Sequence, residues 1–139
     1  MPQPIQDNIL FTDLSARFQS TSTVAASPSA GSETVIATLA IAGFNDIAVV
    51  SGIRLQGWAA FTVGTNGTAA TLQIKQTNTS GTAVTTSGAT TVTAANLLEM
   101  SVNGFDAGAG VGVYVLTLTI ANGSAASTVS KLYLQAVII

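Results

Sequence analysis

Three carboxylates, Asp46, Glu99 and Asp106, stand beside turns bearing glycine or asparagine, and a pair of acids is the one catalytic device that this composition leaves open. Two such groups can cleave a glycosidic bond when one donates a proton and the other attacks or activates water. The chain has no histidine and no cysteine, so hydroxyl nucleophiles have no imidazole to activate them and nearly all zinc sites lose their ligands. A solvated acid at a turn is explained by the turn alone, and the expectation is that no pair of the three is catalytic. The stretch Gly104 to Gly112 (GFDAGAGVG) has the composition of a phosphate-cradling loop, but such loops work through the free amides of a helix that follows them. Here a strand pattern follows, so the stretch is read as a connection between strands. Asp106 also lacks the acidic spacing of a calcium loop. Three sequons, at Asn66, Asn78 and Asn122, coincide with expected hairpin turns, where Asn and Gly supply positive φ. The residues thus indicate no enzyme, no cofactor and no metal site.

Composition narrows the partners. Asp, Glu, Lys and Arg make up 7% of the 139 residues, against about 25% in an ordinary soluble domain. A surface made of Thr, Ser, Ala, Asn, Gln and Gly gives little charge repulsion between copies, which favours burial between subunits. The four basic residues, Arg17, Arg54, Lys75 and Lys131, are scattered and the net charge is −2. Affinity for nucleic acid requires clustered cations that displace counterions, so no nucleic-acid partner is expected. The start MPQPIQDNILF lacks the basic and continuous apolar regions of a secretory signal. The run Val35 to Phe44 falls short of the roughly 20 apolar residues that span a bilayer, so no membrane partner is expected. Absence of cysteine leaves the redox compartment open.

These residues have to be positioned by β structure. All three prolines lie in residues 1–32, and Ser20 to Ser32 is mostly Ser, Thr, Ala and Gly; this part reads as an N-terminal arm and linker. Leu10, Leu14 and Phe18 recur at helical spacing, Ile9 and Phe11 equally suit an extended strand laid on a partner, and the arm can also be the first strand of the same domain. From residue 33 to 139 short alternating runs are divided by turns, the pattern of an all-β antiparallel sandwich. Val35, Ala37, Leu39 and Ile41 share one face. Ile53, Leu55, Gly57, Ala59, Phe61 and Val63 alternate with Arg54, Gln56, Trp58, Ala60 and Thr62. Leu72 and Ile74 face in, and Gln73 and Lys75 face out. A Thr-rich run to Thr93 suits an edge strand, and Asn96 to Met100 (NLLEM) is the one plausible helical turn.

Tyr114, Leu116, Leu118 and Ile120 then alternate with Val115, Thr117 and Thr119, and Leu132, Leu134, Ala136 and Ile138 alternate with Lys131, Tyr133, Gln135 and Val137. Leaving that final apolar run in water would expose about 1.5 to 3 kcal/mol of burial per side chain, so it is expected to be a central strand. The total is about eight strands from residue 33 onward, which suits a jelly-roll-like fold.

Alternation puts Trp58 on the face opposite Leu55 and Phe61, making it a contact residue. It can anchor a subunit interface, lie under the arm, or stack on a sugar with Tyr133.

The Pro-bearing arm, the run ETVIATLAIAGF, the segment SGIRLQGWAAFTVGTNGTAATLQIKQ and the apolar final strand together resemble small bacteriophage virion structural proteins. These are capsid-decorating and head-fibre proteins of jelly-roll or tumour-necrosis-factor-like fold. The resemblance covers residues 33–139 and rests on no single motif. It implies a homo-oligomer, a trimer or another cyclic assembly, bound to a major capsid protein or other virion subunits on the capsid surface after synthesis in the host cytoplasm. The expected role is a non-enzymatic capsid decoration or minor capsid protein, with a carbohydrate-binding or adhesive sandwich as the alternative.

Overall fold

The computed structural model describes residues 18–22, 28, 31–41, 52–63, 68–92, 97–107, 112–121 and 128–139. Within these, nine strands form: β1 (Phe18–Thr21), β2 (Glu33–Ala40), β3 (Ile53–Thr62), β4 (Thr68–Gln76), β5 (Ala83–Thr86), β6 (Thr90–Val92), β7 (Leu97–Asp106), β8 (Val113–Ile120) and β9 (Thr128–Ile138). They build two antiparallel sheets. The first has the order β1-β9-β3-β7, and the second β2-β8-β4-β5 with β6 also paired to β4. This is the expected antiparallel sandwich, and no helix occurs among the described residues.

The core is the set of residues whose period-2 pattern faced inward. Ile53, Leu55, Ala59 and Phe61 of β3, Leu72 and Ile74 of β4, Leu116, Leu118 and Ile120 of β8, and Leu134, Ala136 and Ile138 of β9 are all buried. β9 lies between β1 and β3, so the final strand is central as expected. Gly57 leaves room for a side chain of the facing sheet: a methyl there would come to 2.5 Å from Leu116 Cδ1. Gly104 does the same for the outer strands, since its added methyl would meet Thr85 Cβ of β5 at 2.9 Å.

Five expectations need correction. In the run Asn96 to Met100, expected to be a helical turn, Leu97 to Met100 are extended and belong to β7, which pairs without interruption to β3 from Thr62↔Leu97 to Ile53↔Asp106, and Asn96 lies outside the described residues. Pairing to a neighbour strand outweighs the helix propensity of Leu, Glu and Met. Gly104, Phe105 and Asp106 likewise end β7 and do not belong to the connection, which begins after them. In β2 a bulge between Val35 and Ala37 breaks the alternation, so Ile36, Ala37 and Leu39 are buried while Val35 is only half-buried. In β9 the extra residue Ser130 shifts the register to β3 between Ala60 and Phe61, and Ala60, expected to face outward, is buried. At the β4–β5 turn the positive φ falls on Thr77 (68°), not on Asn78. Asn78 contributes its side chain, whose Oδ1 accepts a 2.9 Å bond from the Ser80 amide.

Candidate functional site

The outer face of the first sheet is built by every second residue of its strands. β9 and β3 are paired so that Gln56 faces Gln135 and Trp58 faces Tyr133. The Gln135 amide donates a 2.7 Å bond to Gln56 Oε1. The Trp58 and Tyr133 rings stack with centroids 5.7 Å apart and planes 20° from parallel. Such a cross-strand aromatic pair contributes about 0.5 to 1.5 kcal/mol beyond its burial. Both residues remain half-buried. The structure thus joins two of the expected contact residues into one aromatic patch at the middle of the face.

On β7 the residue opposite Trp58 is Ser101, and the large apolar side chains stand toward the two ends of the strand. Leu97 and Phe105, on the same outer face, are 61% and 51% exposed, and among the described residues only Ile139 joins them as an exposed large hydrophobic. Sequence reasoning passed over both, because Leu97 lay in the run read as helical and Phe105 in the run read as a loop. Strict alternation through Leu97, Glu99, Ser101, Asn103 and Phe105 was the signal that could have found them. Phe18 pairs with Val137, which places β1 at the edge of this sheet. Ile9, Leu10, Phe11 and Leu14 lie outside the described residues, as does Asp46.

The carboxylates do not converge. Glu99 is exposed on the outer face of β7 and Asp106 is buried between the sheets. Their odd spacing forces opposite faces and roughly 23 Å of separation at about 3.3 Å per residue, beyond the roughly 5 to 9.5 Å of glycosidase pairs. Asp106 instead clasps the two sheets at one end. Its Oδ2 accepts a 2.8 Å bond from the Tyr114 hydroxyl of β8 and a 2.7 Å bond from the Gln76 amide of β4. Among the described residues no group of three or more His, Cys, Asp or Glu could hold a metal ion, and no helix is long and apolar enough to cross a membrane.

Burial, then the hydrogen bond to Asp106 and the charge of that group, push the Tyr114 phenol well above its ordinary pKa. Between the ordinary tyrosine pKa near 10 and the folded value, the unfolded chain holds fewer protons than the folded one, so stability falls as pH rises. The expected contribution is a loss approaching 1.4 kcal/mol per pH unit above about pH 10. Urea unfolding midpoints of the natural chain and Tyr114→Phe, followed through the alkaline range, test this: the variant should lose that part of the slope.

On the outer face of the second sheet, Lys75 Nζ lies 2.9 Å from both carboxylate oxygens of Glu33 and donates a 2.7 Å bond to the Thr79 carbonyl. The Thr117 hydroxyl donates to Glu33 at 2.8 Å, although Thr117 is fully buried. This pair organises the strands β2, β8 and β4, and its two charges satisfy each other.

No protein-family model matches the chain, and no curated protein matches it. Solved structures do. The VP2 subviral particle of infectious bursal disease virus matches over 88% of this chain with a TM-score of 0.58 at 13% identity, and T=1 particles derived from the same virus match over 88% with a TM-score of 0.57 at 14% identity. A tobacco streak virus coat protein matches over 88% of this chain and 85% of its own length, but its TM-score of 0.41 and 9% identity carry no argument. The chain spans about a third of the length of the bursal disease virus chains, 33% and 32% respectively. At such identity the likeness establishes the fold: this chain has a viral capsid-like antiparallel β-sandwich.

Proposed function

We propose that the chain is a non-catalytic structural subunit of a virus particle, a capsid decoration or minor capsid protein that oligomerises and reinforces or docks on the shell. The observation that carries the reading is the match of 88% of the chain to the sandwich of a capsid protein. The scarcity of charge, 7% of residues, supports it, because neutral surface is readily buried against neighbours. The mechanism is mechanical. Contacts formed only by folded subunits stabilise the assembly by mass action. The arm, residues 1–32, is the docking element: Ile9, Leu10, Phe11 and Leu14 form an apolar series too short to make its own core, and it enters the sheet at Phe18.

Immunogold electron microscopy of purified virus particles tests the reading, using the full chain and a chain lacking residues 1–17. The full chain is expected on the particle surface, and the shortened one is expected to fold, with an unchanged far-ultraviolet spectrum, but to stay in solution. Full chain found only free of particles would overturn it. The stacked pair Trp58 and Tyr133 gives the carbohydrate-binding alternative its one specific feature. Rings stacked on each other each give up a face to the pair, which leaves less surface for a sugar. Saturable glycan binding lost in Trp58→Ala would favour that alternative.

A further inference from the structure

The edges of the sandwich are not equally protected. An edge strand offers unpaired amides and carbonyls, and proteins usually blunt it by shortness, a bulge or charge. β1, β5 and β6 have only four, four and three residues. β2 is bulged between Val35 and Ala37 and carries Glu33, which is paired to Lys75. The part of β9 that β1 leaves uncovered carries Lys131. β7 has none of these devices except Glu99: it runs ten residues, its register to β3 shifts nowhere, and among the described residues no strand pairs with its other side.

β7 also carries a symmetric pattern. Outward residues run Leu97, Glu99, Ser101, Asn103, Phe105, with the two exposed hydrophobics at equal distances from Ser101. Two copies of β7 laid antiparallel about a twofold axis at Ser101 would set Leu97 opposite Phe105 of the second copy, twice. Glu99 would face Asn103, so no like charges meet. A register moved by one residue would set outward side chains against inward ones. An axis at Met100 or Val102 would leave Phe105 or Leu97, respectively, without a partner. Cross-strand neighbours in such a pair are about 4.5 to 5.5 Å apart at Cβ, which is direct contact.

We propose that β7 is a homodimer edge: it pairs antiparallel with β7 of a second copy of this chain, centred on Ser101, so that the two four-stranded sheets become one continuous sheet. The contact is isologous, with the same surface used on both subunits. It deepens the assembly reading by naming the strand and the register that join subunits.

The chain has no cysteine, so Ser101→Cys introduces a single thiol that the axis places against its own copy, within the geometry that a disulfide accepts. Under mild oxidation Ser101→Cys is expected to form a covalent dimer much faster than Thr38→Cys, an exposed control on β2. In sedimentation equilibrium, Leu97→Glu and Phe105→Lys are each expected to weaken association about tenfold or more, through lost apolar burial at two symmetric sites. The double variant Leu97→Glu, Phe105→Lys should recover part of it, because the register brings the two new charges together. All the variants should keep the thermal midpoint of the natural chain to within a few degrees, since the altered side chains are exposed. A monomer at every concentration, or an oligomer that the edge charges leave intact and Ser101→Cys does not lock, would overturn the proposal. The second result would leave the virion reading standing. Absence from particles with an intact β7 dimer would do the reverse.

Discussion

Leu134→Ala is expected to lower the free energy of unfolding by about 2 to 5 kcal/mol. Leu134 has no exposed surface, and its strand is flanked on both sides, pairing it with Thr21 of β1 and Gly57 of β3. Gly57 has no side chain that could move into the space, and Leu116 reaches toward that glycine from the facing sheet. The site therefore collapses poorly, and the cavity adds to the lost transfer energy. Gln135→Ala, on the outer face one residue away, is the control and should cost well under half as much. Urea unfolding followed by tryptophan fluorescence measures both. An unchanged midpoint for Leu134→Ala would refute the central placement of β9.

The second large effect concerns the clasp. Asp106→Ala removes the acceptor of the Tyr114 hydroxyl, which is fully buried, and of the Gln76 amide, which is half-buried. A buried donor left without a partner costs about 1 to 3 kcal/mol, and water can reach Gln76 more readily than Tyr114. The expected loss is about 2 to 4 kcal/mol, most of it at Tyr114. Asp106→Asn keeps one acceptor oxygen and should lose less. The decisive measurement is the double variant Asp106→Ala, Tyr114→Phe: with the stranded hydroxyl gone, it should be more stable than Asp106→Ala alone. If the two losses simply add, the hydroxyl was not the group at stake.

The inward-facing sets of three strands were legible in the sequence. β3, β8 and β9 each carry five or fewer inward side chains at strict spacing, and the structure buries them as read. Where a bulge inserts a residue, as at Ile36, the period fails locally and the inward set is misassigned by one. β7 was hidden for a different reason: Leu97, Leu98, Glu99 and Met100 favour a helix locally, and only pairing with β3, far back in the sequence, makes them extended. The outward orientation of Trp58 and Tyr133 could be read singly. Their stack could not, because it depends on which strands become neighbours. The same holds for Asp106, whose two donors come from the opposite sheet.

The strand order also governs when the protein can fold. In the first sheet, β9 separates β1 from β3, so neither of these two strands finds its full set of neighbours until residues 128–138 have left the ribosome. The second sheet waits in the same way for β8, which lies between β2 and β4. Such long-range pairings make folding slow, because loop closure precedes any stabilising contact. During synthesis β3 and β7 can pair early, leaving the inner face of that ribbon, with Phe61, Leu55 and Val102, open to other chains. Conditions that slow elongation through residues 113–138 should therefore lower the yield of soluble protein more than they slow its production.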